Sequence, residues 1–142
     1  MRAFILAATL ILVSPLAHAQ TESRDAMRSL MDASTVEAEA IEMTPIMPTI
    51  VGTYLGNDTS VSYEFEAGVD YFIVLHTLPG SGLDPDLYVN TPSEENAYIS
   101  MEPGGSEIVG FQATETGRHD FDIRISGCES GATCIYGIGV YR

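Results

Sequence analysis

Gly82-Leu83-Asp84-Pro85-Asp86-Leu87-Tyr88-Val89 decides how this chain is read. Turn-forming Gly82 and Pro85 lead into an alternating run that sends Leu87 and Val89 to one side and Asp86 and Tyr88 to the other. That is a strand with one buried face. Asp84 and Asp86, two residues apart, project to the same side, and theirs is the densest convergence of side-chain oxygens on which a cation such as calcium would settle.

The period of two extends in both directions from this stretch. Val51, Thr53 and Leu55 predict a first short strand, closed by Gly56-Asn57-Asp58. Val61, Tyr63 and Phe65 alternate with Ser62, Glu64 and Glu66, the pattern of a half-buried strand. Residues 71 to 77 are apolar on both faces and predict a central strand. Further strands follow at Tyr98 to Met101, at Glu107 to Gln112, through Phe121, Ile123 and Ile125, and through Tyr136, Ile138 and Val140. About eight short strands with turn residues between them and no helix predict an all-β domain over residues 49–142. The architecture expected is an antiparallel sandwich of two four-stranded sheets, of jelly-roll type.

The chain ahead of Thr49 reads differently. Arg2, an apolar run from Ala3 to Val13, and Ala17-His18-Ala19 before Gln20 make a secretory signal over residues 1–19, cleaved after Ala19. The run is shorter than the roughly 20 residues of a membrane span, so no membrane span is expected and the mature protein is secreted or periplasmic. Residues 20–48 form an acidic leader and linker, either helical or disordered. Met27, Leu30, Met31 and Val36 keep a partly helical spacing among Glu22, Asp25, Asp32, Glu37, Glu39 and Glu42, and Pro45-Ile46-Met47-Pro48 reads as an extended linker.

Twenty acidic residues stand against six basic ones, a net charge of −14, and all six are arginine. Such a field repels nucleic acid and attracts cations and basic partners, besides aiding solubility. The two cysteines, Cys128 and Cys134, flank a loop rich in small residues and in an exported chain read as one disulfide; a metal pair or a nucleophilic thiol would need further ligands or bases that the sequence scarcely offers.

Several of these segments together resemble the bacterial pre-peptidase C-terminal domain. They are Tyr63-Glu-Phe-Glu-Ala-Gly68 before a hydrophobic strand, Asp84-Pro-Asp86-Leu-Tyr-Val89, Glu115-Thr-Gly117 leading into Phe121-Asp-Ile-Arg-Ile125, and Tyr136-Gly-Ile-Gly-Val140. The resemblance spans roughly Gly52 to Arg142 and implies a β-sandwich module of the kind appended to secreted proteases and related to collagen-binding domains of collagenases. It departs from the family pattern at Pro85, where a small or apolar residue is usual and where proline confines the position to a strand start or an edge. Some relatives hold calcium with acids ahead of the first strand, a segment in which this chain has Glu39 and Glu42.

These readings converge on a non-catalytic binding or accessory module that recognises an extracellular or envelope protein or polysaccharide. Tyr88 and Tyr98, read as outward rings among acids, are the candidate contact residues, since tyrosine joins area to a hydroxyl. Asp84 and Asp86, with the Asn57-Asp58-Thr59 turn, are the candidate calcium ligands. The alternative is a structural envelope protein without a discrete ligand. A hydrolase ranks third, because no Gly-x-Ser-x-Gly elbow is present and His119 and Asp120, adjacent on a strand, point to opposite faces.

Overall fold

The computed structural model describes residues 15–56, 59–129 and 132–142. Residues 1–14 of the expected signal, and Asn57 and Asp58 of the expected calcium-binding turn, lie outside the described residues. A helix, α1 (Pro15–Ala40), precedes eight strands: β1 (Ile50–Tyr54), β2 (Thr59–Phe65), β3 (Asp70–Thr77), β4 (Asp84–Asn90), β5 (Tyr98–Ser100), β6 (Ser106–Gln112), β7 (Gly117–Ser126) and β8 (Cys134–Tyr141). They form two antiparallel sheets, sheet I in the order β1-β8-β3-β6 and sheet II in the order β2-β7-β4-β5. The two sheets close on each other as the expected jelly-roll sandwich.

Alternation puts the core where the sequence places it. Leu87 and Val89 of β4, Phe121 and Ile123 of β7, and Ile73 and Leu75 of β3 are fully buried between the sheets. Phe65 ties the two layers together, stacked on Tyr71 at 4.1 Å between ring centroids and edge-on to Phe111 at 5.6 Å. Gly68 takes the β2–β3 turn at φ 81°, a backbone region that costs glycine nothing. Pro85 sits at the start of β4, opposite Ile125 and beyond the stretch of β4 that pairs with β5, a strand start where proline is tolerated.

The acidic leader is a helix, and it is docked. Met27 and Met31 are wholly buried against Ile135, with Leu30, Val51 and Leu78 around them. Every residue of β8 is therefore buried, sandwiched between the core and α1. Side-chain bonds fix the orientation: Arg24 donates to Thr53 Oγ1 at 2.5 Å, and the hydroxyls of Thr35 and Tyr141 meet at 3.2 Å. The linker, too, is bound. Thr44 and Arg142 exchange both backbone hydrogen bonds, at 2.7 and 2.9 Å, and Ile46 N donates to Val140 O, so residues 44–46 extend the sheet edge along the end of β8.

The docked helix also explains one reversal in β1. Its core-facing side carries Ile50 and Tyr54, while Val51 turns toward the helix and Leu55 lies exposed beyond the strand. A strand covered on both sides is apolar on both, and a period of two then cannot tell inside from outside.

Candidate binding face

On the outer face of sheet II, β4 presents Asp84, Asp86, Tyr88 and Asn90, and β7 presents Arg118, Asp120, Asp122 and Arg124. The register sets Asp86 opposite Arg124, Tyr88 opposite Asp122 and Asn90 opposite Asp120. The Arg124 guanidinium carbon lies 4.3 Å from the centre of the Tyr88 ring, a cation–π contact that holds the ring against the sheet. Tyr88 in turn donates its hydroxyl to Met101 Sδ at 3.2 Å.

Loop 91–97 overhangs this face and is pinned to it. Asn90 Nδ2 donates to Asp122 Oδ2 at 2.8 Å, and Asn90 Oδ1 accepts from Asn96 N at 2.7 Å. Ser93 donates from both its backbone N–H and its hydroxyl to Glu115 Oε1, at 3.2 and 2.7 Å, and hydrogen bonds from Ser93 and Thr91 hold the Glu115 carboxyl below its ordinary pKa. Between loop and sheet lies an open cleft of about 550 Å³ whose walls include Glu94, Glu95, Asp120, Asp122 and Arg124. Asp120 accepts from Ser62 Oγ at 2.5 Å and from Arg118 Nε at 2.9 Å, and these donors lower its pKa, so it stays charged.

Asp84 and Asp86 of the expected calcium ligands lie on one side of β4. Asp84 Oδ1 already accepts from Gly104 N at 2.9 Å. Asp86 faces Arg124 across the ladder; desolvation first, and the Asp84 charge second, push its pKa up against the pull of that arginine. A calcium ion takes six to eight oxygens, and among the described residues no group of three or more acids, histidines or cysteines is placed to hold a metal.

Tyr98 requires a correction. It stands opposite Val89, on the inward side of β5, with its ring stacked on Phe111 at 4.3 Å and its hydroxyl donated to Gln112 O at 3.1 Å. Tyr98 closes the core, and it is not an outward ring sharing a face with Tyr88. The residues beside Tyr88 are instead Ile99, 49% exposed, and Met101, 57% exposed. In a three-residue strand the alternation is too short to fix which side faces in.

Cys128 and Cys134 form the expected disulfide, with Cα atoms 6.2 Å apart, at the start of β8. His119 is fully buried, donating from Nδ1 to Gly117 O at 3.0 Å, and its neighbour Asp120 points outward as expected. His76 makes a constellation that sequence alone does not disclose: Nε2 lies 2.9 Å from Ser34 Oγ of α1, and Nδ1 lies 2.6 Å from Ser106 Oγ of β6. Ser34 sits inside α1, and its hydroxyl is also within bonding distance of Leu30 O at 3.2 Å.

No protein-family pattern and no curated protein matches the sequence. Several solved structures are similar to it, two of them as follows. One is the pre-peptidase C-terminal domain of a collagenase from Bacillus anthracis, 15% identical, covering 66% of this chain and 87% of that one with a TM-score of 0.47. The other is PliG of Aeromonas hydrophila, a periplasmic inhibitor of g-type lysozyme, 12% identical, covering 67% of this chain and 85% of that one with a TM-score of 0.50. The likeness is one of fold.

Proposed function

We propose that this protein is an exported, non-catalytic binding module, and that the outer face of sheet II docks a basic protein in the periplasm or outside the cell. The observation that carries the reading is the acidic cleft itself, with Glu94, Glu95, Asp120 and Asp122 ringing a pinned loop and Tyr88 held flat beside them by Arg124. A concave acidic wall with a rigid aromatic at its rim is the complement of a protruding arginine or lysine. The net charge of −14 supplies long-range attraction for the same class of partner. The disulfide and the signal-like N-terminus agree with an oxidising compartment. Asp84 and Asp86 then act as part of the acidic surface, with calcium tuning not required.

PliG's description as an inhibitor of g-type lysozyme makes such a lysozyme the first partner to test. Residues 20–142 would be titrated with g-type lysozyme by calorimetry at about 50 mM and about 500 mM salt. Binding at low salt that fades at high salt, and that is lost in Asp120→Asn/Asp122→Asn, is expected. A control that removes two charges from the helix, Glu22→Gln/Asp25→Asn, should bind as wild type. Equal loss in both variants would reduce the effect to net charge and end the assignment to this face. Binding of neutral polysaccharide through Tyr88, unaffected by salt, would replace the basic protein with a glycan, and no binding to either would leave an envelope protein without a discrete ligand.

A further inference from the structure

A second surface lies on the opposite side of the sandwich. Helix α1 covers β1 and β8 but leaves the outer side of the β3–β6 pair partly open. There the register sets Phe72 opposite Gly110, Val74 opposite Ile108 and His76 opposite Ser106. Gly110 lets Phe72 lie across it, since a Cβ at that position would come within 2.9 Å of the ring. With Ala38 and Ile41 on the helix side, these residues bound an apolar groove of about 270 Å³. Its rims are bare: Ile41 is 69% exposed, Ile108 61% and Phe72 38%. Three large apolar side chains meeting at one depression are not the scattered exposure that any surface shows.

Charge decides what can cover it. Glu37 lines the groove. From Ser29 to Thr44 the chain carries Asp32, Glu37, Glu39 and Glu42 and no basic residue. The helix ends at Ala40 without a basic residue in its last turn, so no cationic side chain of its own offsets the negative end of its dipole beside the groove. A second copy of this chain would bring its own net −14 against the first, and an anionic bilayer is repelled in the same way. We infer that the groove between α1 and the β3–β6 face receives a bulky apolar side chain that a partner protein presents between lysines or arginines. The apolar chain fills the depression and displaces water, while the flanking cations meet Glu37 and the helix end. This surface is independent of the acidic cleft on sheet II.

The test uses residues 20–142 and the synthetic peptide Lys-Leu-Lys-Leu-Lys, followed by amide chemical shifts in two-dimensional NMR. Expected are shifts concentrated at residues 72–76 and 106–110, with affinity reduced about tenfold by Ile108→Ser. Replacing every lysine of the peptide by glutamate should abolish binding. Ile108 and Ile41 are both largely exposed, so Ile41→Ser on the facing wall gives a second variant whose fold is secure. Shifts that map instead to residues 84–90 and 118–124, or affinity unchanged in both variants, would overturn the inference. A dimer in sedimentation that dissolves on Ile108→Ser would overturn it too, in favour of a second copy as the occupant. Loss of lysozyme binding at the sheet II face would leave this result untouched.

Discussion

Met31 rests on the bare backbone of Gly137: a Cβ added there would lie 2.5 Å from Met31 Sδ and 2.8 Å from Met27 Sδ. The absence of a side chain at that one position in β8 lets α1 come close enough to bury two methionines completely. Gly137→Ala should therefore push the helix off the sheet at a cost of about 1–3 kcal/mol, the usual range for overpacking. Trypsin reports it directly, because Arg24 and Arg28 are the helix's own cleavage sites. Faster cutting there, with the sandwich intact, is expected; cutting at the wild-type rate would mean that the helix tolerates the methyl group.

The sandwich was legible because its strands obey one rule. Leu87 and Val89, Phe121 and Ile123, and Tyr63 and Phe65 alternate with polar residues, and each points where the alternation puts it. What escaped was whatever depended on the helix or on short elements. Gly137 and Gly139 in β8 look like weak points of a strand, yet Gly137 is the seat of α1, and nothing local says so. Tyr98 sits in a strand of three residues, too short for alternation to orient it. His76 meets serines 42 and 30 positions away, a distance that only the tertiary fold closes. The acidic cleft combines β4, β7 and the loop between β4 and β5. Its acids were visible in the sequence, and their convergence was not.

Calcium offers a sharp test of the β4 pair. Asp84 is already bonded to Gly104 N and Asp86 faces Arg124, so the two carboxylates supply too few free oxygens for a hard ion. The melting temperature of residues 20–142 should stay unchanged in about 1 mM calcium, the affinity range of extracellular sites. A rise that disappears in Asp84→Asn/Asp86→Asn would place calcium at this pair.

Glu107 is an acid in the wall of the core, 1% exposed on β6. Ser100 donates its hydroxyl to Oε2, and Oε1 has no partner among the described residues. Ser100→Ala strips the carboxyl of that donor and should cost about 2 kcal/mol in urea unfolding, since a buried acceptor is then left unsatisfied. Glu107→Gln keeps the acceptor for Ser100 and removes the acid; it should unfold at equal or higher urea than wild type. A neutral Ser100→Ala would show that water reaches the carboxyl.

His76 makes the docking of α1 sensitive to acid. Burial lowers its pKa from 6.5, and the nearby Glu37 charge offsets this only in part. A histidine whose folded-state value lies below the unfolded one binds its proton more readily when unfolded, so it adds stability above pH 6.5 that is lost as the pH falls through 6.5 and toward the folded value. In the neutral ring one nitrogen donates and the other accepts as it links Ser34 of the helix to Ser106 of β6. Thermal unfolding between pH 7.5 and pH 5 should show wild type losing a few degrees more than His76→Gln, which cannot titrate, and trypsin should cut at Arg28 faster at the lower pH in wild type alone. The carboxyls of Glu115 and Asp120, held below 4.5 and 3.8, lose their contribution only at still lower pH and do not enter this window. Parallel pH profiles for the two proteins would show that His76 gains and loses its proton equally in both states, and that the link between α1 and β6 does not depend on it.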